Sequence, residues 1–222
     1  MVYGVESFQN YLFLQNLYRL QALGFEYIDH FDINQTDAHK QNATYATLVE
    51  NVQQCHLCDL SKSRTQSMSG FGDPQSDLFI LDYCVSSMQD STNNYFAGRS
   101  GESLKNMIEK VLGLSVYDTY MTHAIKCKPL HNNPPSESEW NSCKGYLLSE
   151  LAFVKPKVIM VLGKEAYSLL TGDGENFEEV RGHRVKFQNT ILVPIYHPQY
   201  LLRNPELKKV TLGDLKMIKS CL

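Results

Sequence analysis

The 222-residue sequence has no apolar run long enough to cross a membrane and no N-terminal targeting pattern, so a cytoplasmic protein is expected. It also lacks an excess of either charge, because 21 Lys and Arg stand against 24 Asp and Glu, a net charge of −3. That balance excludes a protein that coats nucleic acid through a global basic field, although it permits one local basic rim. No internal repeat is visible, which excludes solenoids and propellers. What is present is ordinary for a globular chain: 43% hydrophobic and 20% charged residues, enough for one sizeable α/β domain and short for two.

The first 44 residues read as an appendage, with an amphipathic helix over about Glu6–Leu23 and a polar linker over Asp29–Asn42. That helix is either packed on the domain's flank or a surface for a protein partner. From residue 45 to 222, strand and helix signals alternate. Apolar, β-branched runs at Asp77–Leu81, Thr119–Ile125, Lys157–Leu162 and Thr190–Ile195 have the length of buried strands. Helical patterns cover Gly101–Leu112, Ser136–Phe153, Lys164–Leu170 and about Pro205–Ser220, with Ser136 and Glu139 forming a capping box. This alternation predicts a three-layer α/β/α sandwich around a four-stranded, mostly parallel sheet. Ligands of such sheets lie beyond the carboxyl ends of the strands.

In a reducing compartment the 6 cysteines are better metal ligands than disulfide partners. Cys55 and Cys58 form a Cys-x2-Cys pair, Cys127 follows the second strand and Cys143 sits in a helix. A zinc ribbon would need a second close pair, which is missing. Spacing alone leaves three readings: an iron–sulfur cluster, a zinc ion, or packed structural thiols. Cys84 and Cys221 fall outside this set.

The quartet sits among further motifs: Gly70-Phe-Gly72, Phe96-Ala-Gly98-Arg99, Thr122-His-Ala-Ile-Lys126-Cys127, Arg181-Gly182 and Tyr196-His197-Pro198-Gln-Tyr-Leu201-Leu202-Arg203. In order and spacing, from about Thr44 onward, the chain resembles family 4 of the uracil-DNA glycosylases, the iron–sulfur family. The resemblance implies a three-layer α/β/α domain, a [4Fe-4S] cluster on Cys55, Cys58, Cys127 and Cys143, and excision of uracil from DNA. It also implies roles for single residues. His197 would donate to the leaving base, and Phe96 would stack on it. Leu201, Leu202 and Arg203 would enter the minor groove. Arg203, Arg99, Lys126 and Lys128 would contact phosphates.

The resemblance fails in the family's first motif, Gly-Glu-Ala-Pro-Gly followed after two residues by Glu-Asp. Here Asp82-Tyr83-Cys84-Val85-Ser86 and Gln89-Asp90 stand in its place. Tyr83 and Gln89 replace the two glutamates, and a neutral side chain is no carboxylate base. Gln89 would then orient water by hydrogen bonding, and Asp90, ahead of Asp82, would substitute as the carboxylate. Tyr83 would line the base pocket, and His123, in place of an asparagine, would read a base edge. Three functions follow as alternatives: a monomeric base-excision enzyme with weak or shifted activity on damaged or deaminated DNA, a non-catalytic DNA-binding descendant, or a partner-binding protein.

Overall fold

The computed structural model describes residues 44–172 and 177–222. The expected helix over 6–23, its partner-binding role and the boundary near residue 44 lie outside the described residues. Each of the four apolar runs forms a strand: β2 (Leu78–Cys84), β3 (Tyr120–Ile125), β4 (Val158–Leu162) and β6 (Thr190–Ile195). They run parallel in the order β3-β2-β4-β6. The sheet has six strands rather than four, because short antiparallel strands add to both edges: β1 (Phe71–Gly72) on β3 and β5 (Val185–Phe187) on β6. At two and three residues these edges are too short for a period-2 signal. The turn joining β5 to β6 is made by Gln188, which adopts a positive φ of 51°.

The helices are α1 (Tyr45–Gln53), α2 (Ser87–Thr92), α3 (Gly98–Asn106), α4 (Glu137–Val154), α5 (Gly163–Thr171), α6 (Phe177–Val180), α7 (Pro198–Arg203) and α8 (Lys208–Lys219). A π-helical turn over Met107–Leu112 extends α3. The expected capping box of α4 is formed, with Ser136 and Glu139 bonding each other's backbone N–H groups. Alternation along the strands sorts the core into two layers. Ile80, Met121, Met160 and Val193 face Leu104 of α3, Ile108 of the π turn and Leu215 of α8. Phe79, Leu81, Ile159 and Val161 face Leu147 of α4 and Ala166 of α5. Because the central strands are covered on both faces, β3 and β4 are buried at every residue.

Candidate functional site

A cleft of about 940 Å³ opens at the carboxyl ends of the parallel strands. Its walls include Asp82, Tyr83, Tyr95, Glu165, Tyr196 and His197. Such a location follows from the topology, since parallel strands end together there and their following loops diverge.

His197 caps the N-terminus of α7, and Pro198 takes the first helical position. The backbone N–H of Gln199 donates to His197 Nδ1 at 3.0 Å. An Nδ1 that accepts carries no proton, so the ring's N–H is on Nε2. Nε2 lies 3.1 Å from Asp82 Oδ1. Burial lowers the pKa of His197, but the Asp82 carboxylate, helped by Glu165, outweighs it and raises the pKa above its ordinary value. Burial in turn raises the pKa of Asp82; His197, His123 and the Tyr83 N–H outweigh it, and the carboxyl is held below its usual range. The buried Asp82 is thus an anion whose strongest partner is the cleft histidine.

His123 flanks the same carboxylate from the other side. Asp82 and His123 are register partners on β2 and β3, and His123 Nε2 lies 3.9 Å from Asp82 Oδ2. His123 is 0% exposed and neither ring nitrogen has a hydrogen-bond partner. Burial pushes its pKa down to about 4. Tyr95 stacks on it at 5.2 Å between ring centroids, and Tyr95 rather than His123 lines the cleft. Edge reading by His123 is therefore not open in this arrangement.

Several other expected site residues are committed elsewhere. Gln89 completes the capping box of α2, accepting from Ser86 N at 2.9 Å and donating to Tyr95 O at 2.8 Å. Its amide is thus engaged at both ends by the backbone, on the wall of the cleft. Asp90 is 2% exposed and accepts from Thr65 N and Thr65 Oγ1, both at 2.9 Å, with Lys128 Nζ at 3.7 Å. It fastens the 65–66 loop and does not line the cleft. Phe96 packs edge-on against Phe71 at 5.8 Å and is not among the residues lining the cleft. Lys126 is 1% exposed, bonded to Glu150 at 2.5 Å and Thr122 at 2.6 Å, so it reaches no phosphate. Leu201 is a core residue, whereas Leu202 is exposed. Arg203 and Tyr83 line the cleft, and Arg99 is exposed at the start of α3.

Tyr95 and Glu165 were not singled out from the sequence. A readable signal existed for Glu165: a glycine after a buried strand and before a helix marks the carboxyl edge of a parallel sheet, and Glu165 follows two residues later. No comparable signal marks Tyr95 over Phe96.

Cys55, Cys58, Cys127 and Cys143 line one small cavity together with Arg64, Lys126 and Tyr146. Arg64 Nη1 donates to Cys127 Sγ at 3.0 Å, and Lys126 N donates to Cys143 Sγ at 3.4 Å. Among the described residues, no three His, Cys, Asp or Glu side chains converge as they would around one ion. Burial pushes the Cys84 thiol up to about 12, and Cys84 packs beside this cluster as an inert side chain. Among the described residues no helix is long and apolar enough to cross a membrane.

The model of the uracil DNA glycosylase superfamily matches residues 69–216. A type-4 uracil-DNA glycosylase of Sulfurisphaera tokodaii is 32% identical over 178 residues, covering 77% of this chain and 81% of its own. The type-4 enzyme of Thermotoga maritima is 30% identical over 175 residues, with 77% and 91% covered. That of Saccharolobus solfataricus is 28% identical over 183 residues, with 79% and 85% covered.

Proposed function

This chain belongs to the uracil-DNA glycosylase superfamily, and on that premise we propose that it hydrolyses the N-glycosidic bond of uracil or another deaminated base in DNA, as a base-excision repair enzyme of weak or shifted activity. The observation that carries this reading is His197, held in the cleft with its ring N–H on Nε2 by the Gln199 N–H. Excision requires the base to leave the stack and enter a pocket, where negative charge develops on the leaving pyrimidine. A fixed N–H beside the base oxygen stabilises that charge without reorganising. Asp82 holds this N–H in the resting site, so an incoming base must displace a carboxylate from it. That competition supports weak activity. Arg203, with Arg99 and Leu202 on the exposed rim, is proposed to position the DNA.

The four cysteines are proposed to hold a [4Fe-4S] cluster. All four line one cavity, and donors point at two of the sulfurs, as thiolates bound to metal require. The cluster would supply a cross-link between the 55–58 loop, the segment after β3 and α4. Free cysteines fit a reducing compartment, and we place the protein in the cytoplasm. Purified protein should carry about four iron and four sulfide per chain by elemental and sulfide assay; zinc alone would remove the cluster.

Base release tests the function. Oligonucleotides containing uracil, hypoxanthine or xanthine, single- and double-stranded, would be incubated with cluster-loaded protein and treated with alkali. Strand breaks at one lesion, abolished in His197→Ala, support the enzyme and name its substrate. A non-catalytic DNA-binding descendant is the second reading, favoured by the sealed His123. Salt-sensitive DNA binding with no breaks at any lesion would establish it.

A further inference from the structure

Breaking an N-glycosidic bond leaves positive charge on the sugar, and the attacking water needs both orientation and a proton acceptor. Among the described residues three carboxylates line the cleft: Asp82, Glu165 and Glu178. Two are committed. Asp82 is buried, with Oδ1 taken by His197 Nε2 and the Tyr83 N–H. Glu178 accepts the Tyr196 hydroxyl at 2.6 Å and lies 3.9 Å from Arg181 Nε.

Glu165 is exposed and makes no hydrogen bond or ion pair among the described residues. It occupies the first turn of α5, a favourable place for a negative side chain. Its charge adds to the upward pKa shifts of His197, Tyr83 and Cys84, and all four residues line the same cleft. Gly163 makes this approach feasible. At φ +86° it tolerates no ordinary side chain, and a Cβ there would lie 3.1 Å from His197 Cβ and 3.3 Å from Glu165 Oε2. A Glu165 carboxylate oxygen and the His197 Cβ therefore both lie within 3.3 Å of the point a methyl group on Gly163 would occupy.

We propose that Glu165 is the catalytic carboxylate that orients the attacking water and takes its proton. In this step the C1′–N bond breaks with its electron pair leaving on the base, whose charge is met by the His197 N–H. A C1′–O bond forms to water, and the water's proton passes to the Glu165 carboxylate and then to solvent. The proposal rests on the glycosylase reading and locates the charge that the first motif lacks.

Single-turnover base release by Glu165→Gln, with DNA affinity measured alongside, tests it. Release should fall by roughly 100-fold or more while affinity stays within about twofold, in line with loss of a general base. Glu165→Ala should be equally slow and regain about tenfold or more of its lost rate in added formate, which a merely structural residue would not do. Release by Glu165→Gln within threefold of the unaltered protein would overturn the proposal and leave the glycosylase reading standing. So would a folded, inactive Glu165→Ala that formate fails to rescue. Absence of release by the unaltered protein at every lesion would overturn both.

Discussion

Asp82 sits between two histidines that the fold treats in opposite ways. His197 enters from the end of β6 and has both nitrogens engaged, one by a backbone N–H and one by Asp82. His123 rises from β3 and has neither engaged. The same carboxylate is 3.1 Å from the first and 3.9 Å from the second. At the first site its charge outweighs burial and the pKa rises; at the second burial wins and the pKa falls to about 4. Identical side chains become a fixed donor and a neutral packing unit, because one has a close, aligned partner and the other does not.

The largest expected effect breaks this contrast at His197. His197→Ala should lower base release by about 10²- to 10⁴-fold, read in single-turnover assays, with DNA binding little changed. A loss of binding as large as the loss of rate would make His197 a docking residue.

Acid stability separates the two histidines next. His123 is neutral in the folded protein down to pH about 4, while in the unfolded chain it takes a proton near 6.5. Its contribution to stability is therefore complete above pH 6.5 and lost as pH falls toward 4. The loss between pH 7 and pH 4 is on the order of 3 kcal/mol. His197 has the opposite sign: with its folded pKa raised, its contribution is present below the unfolded value and lost as pH rises through the folded one. His123→Phe keeps an aromatic ring against Tyr95 and removes only the first effect. Denaturant unfolding at pH 7 and pH 4 should show the unaltered protein losing about 3 kcal/mol more than the variant. Equal losses would mean that His123 is protonated in the folded state.

Why one histidine was readable and the other not is a matter of where the partners lie. His197 belongs to a local pattern in which Pro198 and Gln199 fix its tautomer, so the sequence carries most of its geometry. The four central strands were legible for the same reason, since length and β-branching are local. The role of His123 depends on Tyr95, 28 positions earlier on another loop, and that of Lys126 on Glu150, 24 residues later on α4. Asp90 was preferred over Asp82 by its place in the motif. Its true partners are the N–H groups of Thr65 and Gln66, which no spacing rule connects to it. Phe96 and Tyr95 are adjacent in an irregular loop, where no periodicity decides which ring meets the cleft. Gly101 lets the Phe96 backbone approach α3 closely, since a Cβ there would lie 2.2 Å from the Phe96 carbonyl carbon.

The smallest effect sharpens the comparison at Asp82 itself. Asp82 serves His197 as an acceptor, and a hydrogen bond to a charged group is worth about 1.5–3 kcal/mol, roughly twice a neutral one. An incoming base oxygen must displace it to receive the Nε2 proton, and the carboxylate charge also opposes the negative charge developing on the base. Asp82→Asn keeps an acceptor of the same shape and removes the charge, so base release should rise by about tenfold, which corresponds to ~1.4 kcal/mol. The pKa of His197 should fall in the same variant, because burial is then left with less opposition, and NMR titration of the ring would follow it. A faster rate with a lowered His197 pKa identifies Asp82 as a brake on the donor. A slower rate would mean that the Asp82 carboxylate itself serves the cationic sugar, and the charge assigned to Glu165 would belong to β2 instead.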